Sequence, residues 1–584
     1  MAWLKTQAAI ALLGTSTLLV LGHGDDHMDM GETSSTPSPS PILDPNRNYD
    51  LWDKPSYVGL EAHTGLMAAH IGFMVAAWFF ILPIGVMLSI ARSKFALPTQ
   101  FLFLLLNGFG VVVGTIYNIN TPDLYENNAH HKIGWIATWI VTAQVLMSLL
   151  FVYSGRSKQE DVVQSERVAF LPASLQSFDR PFHQYRWSGD SGHGTEPPSP
   201  GSSRTMSPNR DYGYRKPETE EPEDMEEVPI ADRSTRPSWF ANTNIGRYLS
   251  SRVPQVMSQK LLKAAEVACE VIDRAVLILG FIALTTGIVT YTGIGRANNV
   301  FNLLAHFIKG GIFVWYGLLT LGRWLGAFAD LGWAWNLKPT RSEVGWKARL
   351  PTAEFTESFV IFLYGCINVF LEHLAAWGDA WSAQDFEHVS ISVMFFGGGL
   401  AGMLVESKQL RTFLNTSIDM MPTRNDVHPE QAHEIREEPK SYSTSVNIMP
   451  ALVILLLGIM MSSHKQDSMV ASMVHKQWGT LLSGFAVCRA LTYVLTYLSP
   501  PKSIYPSRPP TELATSFCLL SGGLIFMLST HDIVHYMDVY NLMPMFTFTV
   551  VMGFTAFVMA YTMFVVGLKG WAARREHTGL VNRY

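Results

Sequence analysis

The sequence predicts an all-α fold, a polytopic transmembrane helical bundle of about eleven helices in a 3 + 8 arrangement. Three observations carry this. Only 16% of the 584 residues are charged, against 48% hydrophobic, whereas a soluble domain carries roughly a quarter charged residues. The charges collect between apolar runs, each close to the roughly 20 residues that cross a hydrocarbon layer. Lys and Arg then alternate from loop to loop as the positive-inside rule requires.

The elements follow in order. Residues 1–22 read as a secretory signal, with Lys5 in the positive region and Ala8 to Val20 as a short apolar core. A cut after Gly22 leaves His23 as the first mature residue. Residues 23–60 begin rich in His, Met and Asp, become rich in Ser and Pro, and read as a disordered luminal segment. Runs at 62–90, 97–117 and 132–153 make a three-helix unit, 61–153. Pro83 falls inside the first run and is expected to kink it without ending it.

Residues 154–255 hold Ser, Pro and Gly with an acidic run from Glu218 to Glu227, too polar to pack a core, and read as a disordered cytosolic linker. Residues 251–268 are amphipathic and are expected on the membrane surface. An eight-helix unit, 256–570, follows, with runs at 270–291, 300–322, 355–373, 386–405, 446–463, 476–497, 512–530 and 540–567. A Pro-rich turn fills 499–510, and 571–584 form a cytosolic tail.

With the mature amino terminus outside, the cytosolic segments hold most of the cations, among them Arg92, Arg156, Arg323, Lys338, Lys408, Lys502 and Arg574. The outer loops carry Asp123, Glu126, Asp379, Asp385, Asp467, Asp532 and Asp538. This places an integral membrane protein in the secretory pathway (ER/Golgi, vacuole or plasma membrane), carboxy terminus cytosolic. Arg489, inside the ninth run, is expected to snorkel inward. Trp324, Trp333 and Trp335 read as an interfacial belt, and Gly397–Gly399 with Gly522 and Gly523 as close-packing positions.

Several function classes drop out. The net charge is -5 with no basic patch, so the partners are the lipid bilayer and not nucleic acid. Cys269, Cys366, Cys488 and Cys518 match neither a disulfide framework nor a zinc ribbon. Walker, nucleophile-elbow and zincin motifs are missing.

The histidines remain. His70 opens the first helix and His130 the third, and these helices run in the same direction. Both imidazoles therefore lie at similar depth in one leaflet, the arrangement that bis-histidine haem ligation needs. Interhelical hydrogen bonding is the alternative use of the pair. His63, seven residues before His70, shares nearly the same helical face, and His131 is expected to point away.

The stretch from His70 through Ala77-Trp78 and Pro83-Ile84-Gly85 to Ala91-Arg92 resembles the first core helix of the cytochrome b561 family, and Ala129-His130 with Ile133-Gly134 resembles its third. The resemblance covers about 90 residues and implies haem b, with His70 and His130 as ligands, in an electron-transfer protein. That family's second haem is held by the second and fourth core helices. Here neither helix has a histidine, and Asn107 stands where a ligand is expected. One haem on the luminal or extracellular face, exchanging electrons with a luminal redox partner, is the expectation that follows.

A second reading is copper or zinc handling. His531-Asp532-x-x-His535-x-x-Asp538 places two imidazoles one turn apart with a carboxylate following. Glu372-His373 and Glu387-His388 add candidates, and His23, His27, Met28 and Met30 offer the mixed imidazole and thioether donors that suit copper. A cofactor-free structural membrane protein is the third reading. Finally, a signal peptide, a b561-like triplet, a polar linker and a helical unit with Phe370-Leu371-Glu372-His373 and His531-Asp532 together resemble the fungal YTP-like multi-pass membrane protein family. That likeness covers most of the chain and implies the fold rather than an activity.

Overall fold

The computed structural model describes residues 55–153, 259–371, 380–421, 444–463, 466 and 468–581. The expected signal peptide, the linker, His23, His27 and His373 lie outside the described residues. Among the described residues every regular element is helical: α1 (Thr64–Ile90), α2 (Ala96–Asn120), α3 (Ala129–Tyr153), α4 (Gln259–Thr292), α5 (Asn299–Leu325), α6 (Ala353–Leu371), α7 (Ala383–Glu406), α8 (Lys408–Asp419), α9 (Met449–Ser463), α10 (Met469–Leu498), α11 (Pro510–Leu528), α12 (His531–Val539) and α13 (Pro544–Val581). Each of the eleven expected runs has its helix. Eight are long and apolar enough to cross a membrane: α1, α2, α3, α5, α7, α10, α11 and α13. The short α8 and α12 are additions. Residues 259–268 are not a separate surface helix but the first turns of α4, and 571–581 continue α13.

Pro83 acts as expected. It has no N–H for the carbonyl four residues back, and the chain widens into a π-turn over Val75–Ile81 before resuming. Tyr561 of α13 donates to the Phe80 carbonyl beside that irregularity. Phe79 stacks on Phe557 and Tyr561. The helix begins at Thr64, so His63 stands before it, exposed and in left-handed conformation at φ 57°.

Three helices precede the linker, but in space the fourth packs with them. Val276 of α4 shares one core with Ala77, Trp78, Leu82, Phe103, Ala137, Val141 and Val145. Polar ties cross this core: Trp78 Nε1 donates to Asn107 Oδ1 at 2.9 Å, and Asn107 Nδ2 donates to Thr138 Oγ1 at 3.2 Å. Asn107 is thus a buried bridge among α1, α2 and α3. Ser89 and Gln144 both donate to Asp273 of α4.

In the carboxy-terminal helices small residues set the distances of approach. A Cβ on Gly310 would stand 2.6 Å from the Gly523 carbonyl, joining α5 to α11, and one on Gly458 2.7 Å from the Gly479 carbonyl, joining α9 to α10. Lipid tails are as apolar as the side chains, so close backbone packing and polar contacts drive helix association here.

The strongest of those contacts is a chain of five charges. Arg323 of α5 donates to Glu354 at 2.8 Å and to Glu357 at 2.6 Å, both on α6. Arg489 of α10 reaches the same Glu357 at 3.2 Å and Glu512 of α11 at 2.8 Å. The order Glu354–Arg323–Glu357–Arg489–Glu512 alternates in sign, and all five side chains are buried. Three expectations are corrected. Arg489 does not snorkel, because within the bundle Nε donates to Glu512, Nη1 to Glu357 and Nη2 to the Thr320 hydroxyl. Arg323 is not a loop cation but the last-turn residue of α5, so it adds nothing to the loop-charge asymmetry. Trp335 is likewise no belt residue: it is buried, with the Arg323 guanidinium 4.3 Å from its ring centre. Helix ends reinforce the chain. Glu354 and Glu512 lie in the first turns of α6 and α11, where the helix macrodipole favours anions, and Arg323 lies in a last turn, where it favours cations.

Removing one partner leaves buried carboxylates uncompensated. Arg489→Leu is expected to lower stability by about 3–5 kcal/mol, read as a large fall in the thermal transition of the detergent-purified protein. Removing the exposed Glu270–Arg274 pair of α4 is expected to cost less than about 1 kcal/mol. Equal effects would contradict the structural weight given to the buried chain.

Candidate functional site

His70 and His130 meet. Their ring centroids are 6.3 Å apart with the planes at 77°. His70 Nδ1 lies 2.8 Å from the Gly110 carbonyl of α2. Donation there makes Nδ1 the protonated nitrogen and leaves Nε2 carrying the lone pair. His130 bonds the backbone of Ala283, and its Nδ1 is 3.5 Å from Thr286 Oγ1, both on α4. Each ring also lies on a glycine. A Cβ on Gly114 would stand 2.6 Å from His70 Nδ1, and one on Gly287 3.0 Å from His130 Cε1. Helices α1 and α3 supply the imidazoles, and α2 and α4 supply the glycine beds and the carbonyls that orient them. His131 is exposed, as expected.

Ring separation decides what the pair can do. Two imidazoles on opposite sides of one metal, with metal–nitrogen bonds of about 2 Å, have centroids roughly 6 Å apart. The observed 6.3 Å fits ligation from two sides.

A second pair was not singled out by the sequence. His306 of α5 and His475 of α10 have centroids 6.2 Å apart at 84°. Both Nδ1 atoms lie on carbonyls one turn back, Asn302 at 2.8 Å and Ala471 at 2.9 Å. The available signal was the position of each histidine near the outer end of its run, His306 just inside the run at 300–322 and His475 just before the run at 476–497.

Within the His531–Asp538 motif, Asp532 has a structural role. α12 sets His531 and His535 one turn apart, with His531 and Asp538 exposed and His535 half-buried. Among the described residues no three His, Cys, Asp or Glu side chains form a metal-binding group. Asp532 is instead buried and accepts from Gly295 N and from Asn299 Nδ2, each at 2.6 Å. Gly295 has φ +72° and is packed on Leu303, a conformation that favours glycine. Beside it Tyr125 donates to the Ile294 carbonyl at 2.8 Å, and burial holds its phenol above the ordinary value. Arg296 donates to the Pro55 and Leu124 carbonyls. Asp532 thus fastens the α4–α5 turn to α12, at the end of the bundle where the histidine pairs lie.

These features define a polytopic, all-helical membrane protein with paired intramembrane imidazoles. The chain belongs to the Protein YTP1-like, C-terminal family, whose model matches residues 279–570. Residues 53–154, which contain the first imidazole pair, match a domain of unknown function, DUF2427. The chain is 33% identical to Uncharacterized membrane protein C3B8.06 of Schizosaccharomyces pombe, over 90% of this chain and 98% of the relative. It is 30% identical to Uncharacterized membrane protein YCR061W of Saccharomyces cerevisiae, over 98% and 93%. Protein YTP1 of S. cerevisiae is 22% identical over 42% of each chain. No solved structure matches.

Asp532→Ala deletes two charge-assisted hydrogen bonds, worth about 1.5–3 kcal/mol each. The variant is expected to unfold at lower temperature and to be cut by protease in the 293–299 turn. His531→Ala, removing an exposed ring, is expected to do neither. A stable, protease-resistant Asp532→Ala protein would contradict this reading.

Proposed function

We propose that this is a single-haem membrane electron-transfer protein, with haem b held by His70 and His130 near the luminal end of the amino-terminal helices. The observation that carries the reading is the convergence of two imidazoles from different helices at 6.3 Å, one of them fixed by a backbone carbonyl as metal-ligating histidines commonly are. Bound there, haem b supplies one-electron chemistry.

The chain's own residues do the positioning. Gly110 orients the His70 ring, and Gly114 and Gly287 admit the rings against the backbones of α2 and α4. Asn107 is committed to Trp78 and Thr138, and α2 and α4 contain no histidine. These features favour one redox centre on one side of the membrane over a relay across it, and so an electron partner on the luminal face.

The test is a reduced-minus-oxidised absorbance spectrum of the purified protein. A haem b spectrum is expected, abolished by His70→Ala or His130→Ala, weakened by Gly114→Val and unchanged by His131→Ala. A wild-type protein without a Soret band would overturn the proposal.

A further inference from the structure

We propose that His306 and His475 form a two-coordinate copper(I) site in the carboxy-terminal helices, separate from the haem site. Their centroid separation of 6.2 Å equals, within 0.1 Å, that of His70 and His130. It is the separation that one ion bridging two imidazoles requires, with bonds of about 2 Å. The rings come from different helices. Each is oriented by a hydrogen bond between Nδ1 and a carbonyl of its own helix, which directs Nε2 to serve as the donor.

The surroundings select the ion. The Phe526 ring stands edge-on to His306 at 5.5 Å, and Trp478 lies 5.8 Å from His475. Trp478 and Phe526 stack on each other at 4.2 Å and 9°, and Phe313 closes on Phe526 at 6.2 Å. Trp478 and Phe526 are buried. A packed aromatic wall favours a bare ion over a macrocycle, in contrast to the glycine beds beneath His70 and His130. The wall is apolar and contributes no carboxylate. Structural zinc takes four donors and is neutralised by them. Lys309, one turn along α5, lies within electrostatic range of His306. A dication is therefore opposed more than a monocation. Copper(I) carries one charge and accepts imidazole as well as soft thioether and thiolate donors. His388 of α7 is also within electrostatic range of His306, a third imidazole on the same side of the bundle.

The experiment is anaerobic copper(I) titration of the full-length detergent-purified protein against a chromophoric copper(I) chelator, with X-ray absorption at the copper edge. His306→Ala and His475→Ala are each expected to lower retained copper(I) by one equivalent relative to wild type. His70→Ala is expected to leave it unchanged, so loss of the haem reading and loss of this one are distinguishable. His475→Met is the decisive variant, because a thioether still ligates copper(I). It should retain the equivalent, and the edge spectrum should show one nitrogen exchanged for sulfur. Unchanged copper in a folded His306→Ala protein, loss of the equivalent in a folded His475→Met protein, or equal retention of zinc(II) would each overturn the proposal.

Discussion

The alternating chain Glu354–Arg323–Glu357–Arg489–Glu512 is the interaction on which the carboxy-terminal architecture rests. It ties α5, α6, α10 and α11 together, and its central member, Glu357, is shared by both arginines. Buried ion pairs offset their desolvation only when geometry and hydrogen bonding are good. Here three helix ends assist, and the chain fixes which helices are neighbours more than it adds net stability. Lipid does not push helices together, so such specificity has to come from polar contacts and close backbone approach.

Two of the helices so fixed, α5 and α10, also carry the second imidazole pair. His306 is 17 residues before Arg323, about 25 Å along the helix, and His475 is 14 before Arg489, about 21 Å. Parallel helices clamped at one end by the charge chain bring their histidines to the same level at the other. In the amino-terminal group the Trp78–Asn107–Thr138 bridge and the Asp273 contacts do the equivalent work. The two groups thus use different polar links to reach the same result, a pair of near-perpendicular imidazoles about 6 Å apart near one end of the bundle.

Much of the fold was legible in the sequence because length and hydropathy identify spanning helices almost without regard to tertiary contacts. Gly399 and Gly523 were legible as close-packing positions for a similar reason: small residues in apolar runs have few other uses. His70 and His130 were legible because two parallel helices with histidines at equal depth leave little choice of partner. The charge chain was not. Its partners are 31, 34, 132 and 23 residues apart in sequence, and each charge alone resembles a snorkelling or loop residue. The signal that was present was the coincidence of intramembrane Arg with Glu at the starts of other apolar runs, since an ionisable residue within a span needs a partner. The role of Asp532 was not legible either, because its carboxylate caps a glycine turn 237 residues away in sequence.

The central functional claim is that the near-perpendicular His70 and His130 rings would hold one haem iron. Low-temperature electron paramagnetic resonance of the oxidised protein tests this most directly. Two imidazoles at 77° predict a low-spin ferric signal with strong axial anisotropy. A high-spin ferric signal, or a low-spin signal that persists when either histidine is replaced, would contradict the account.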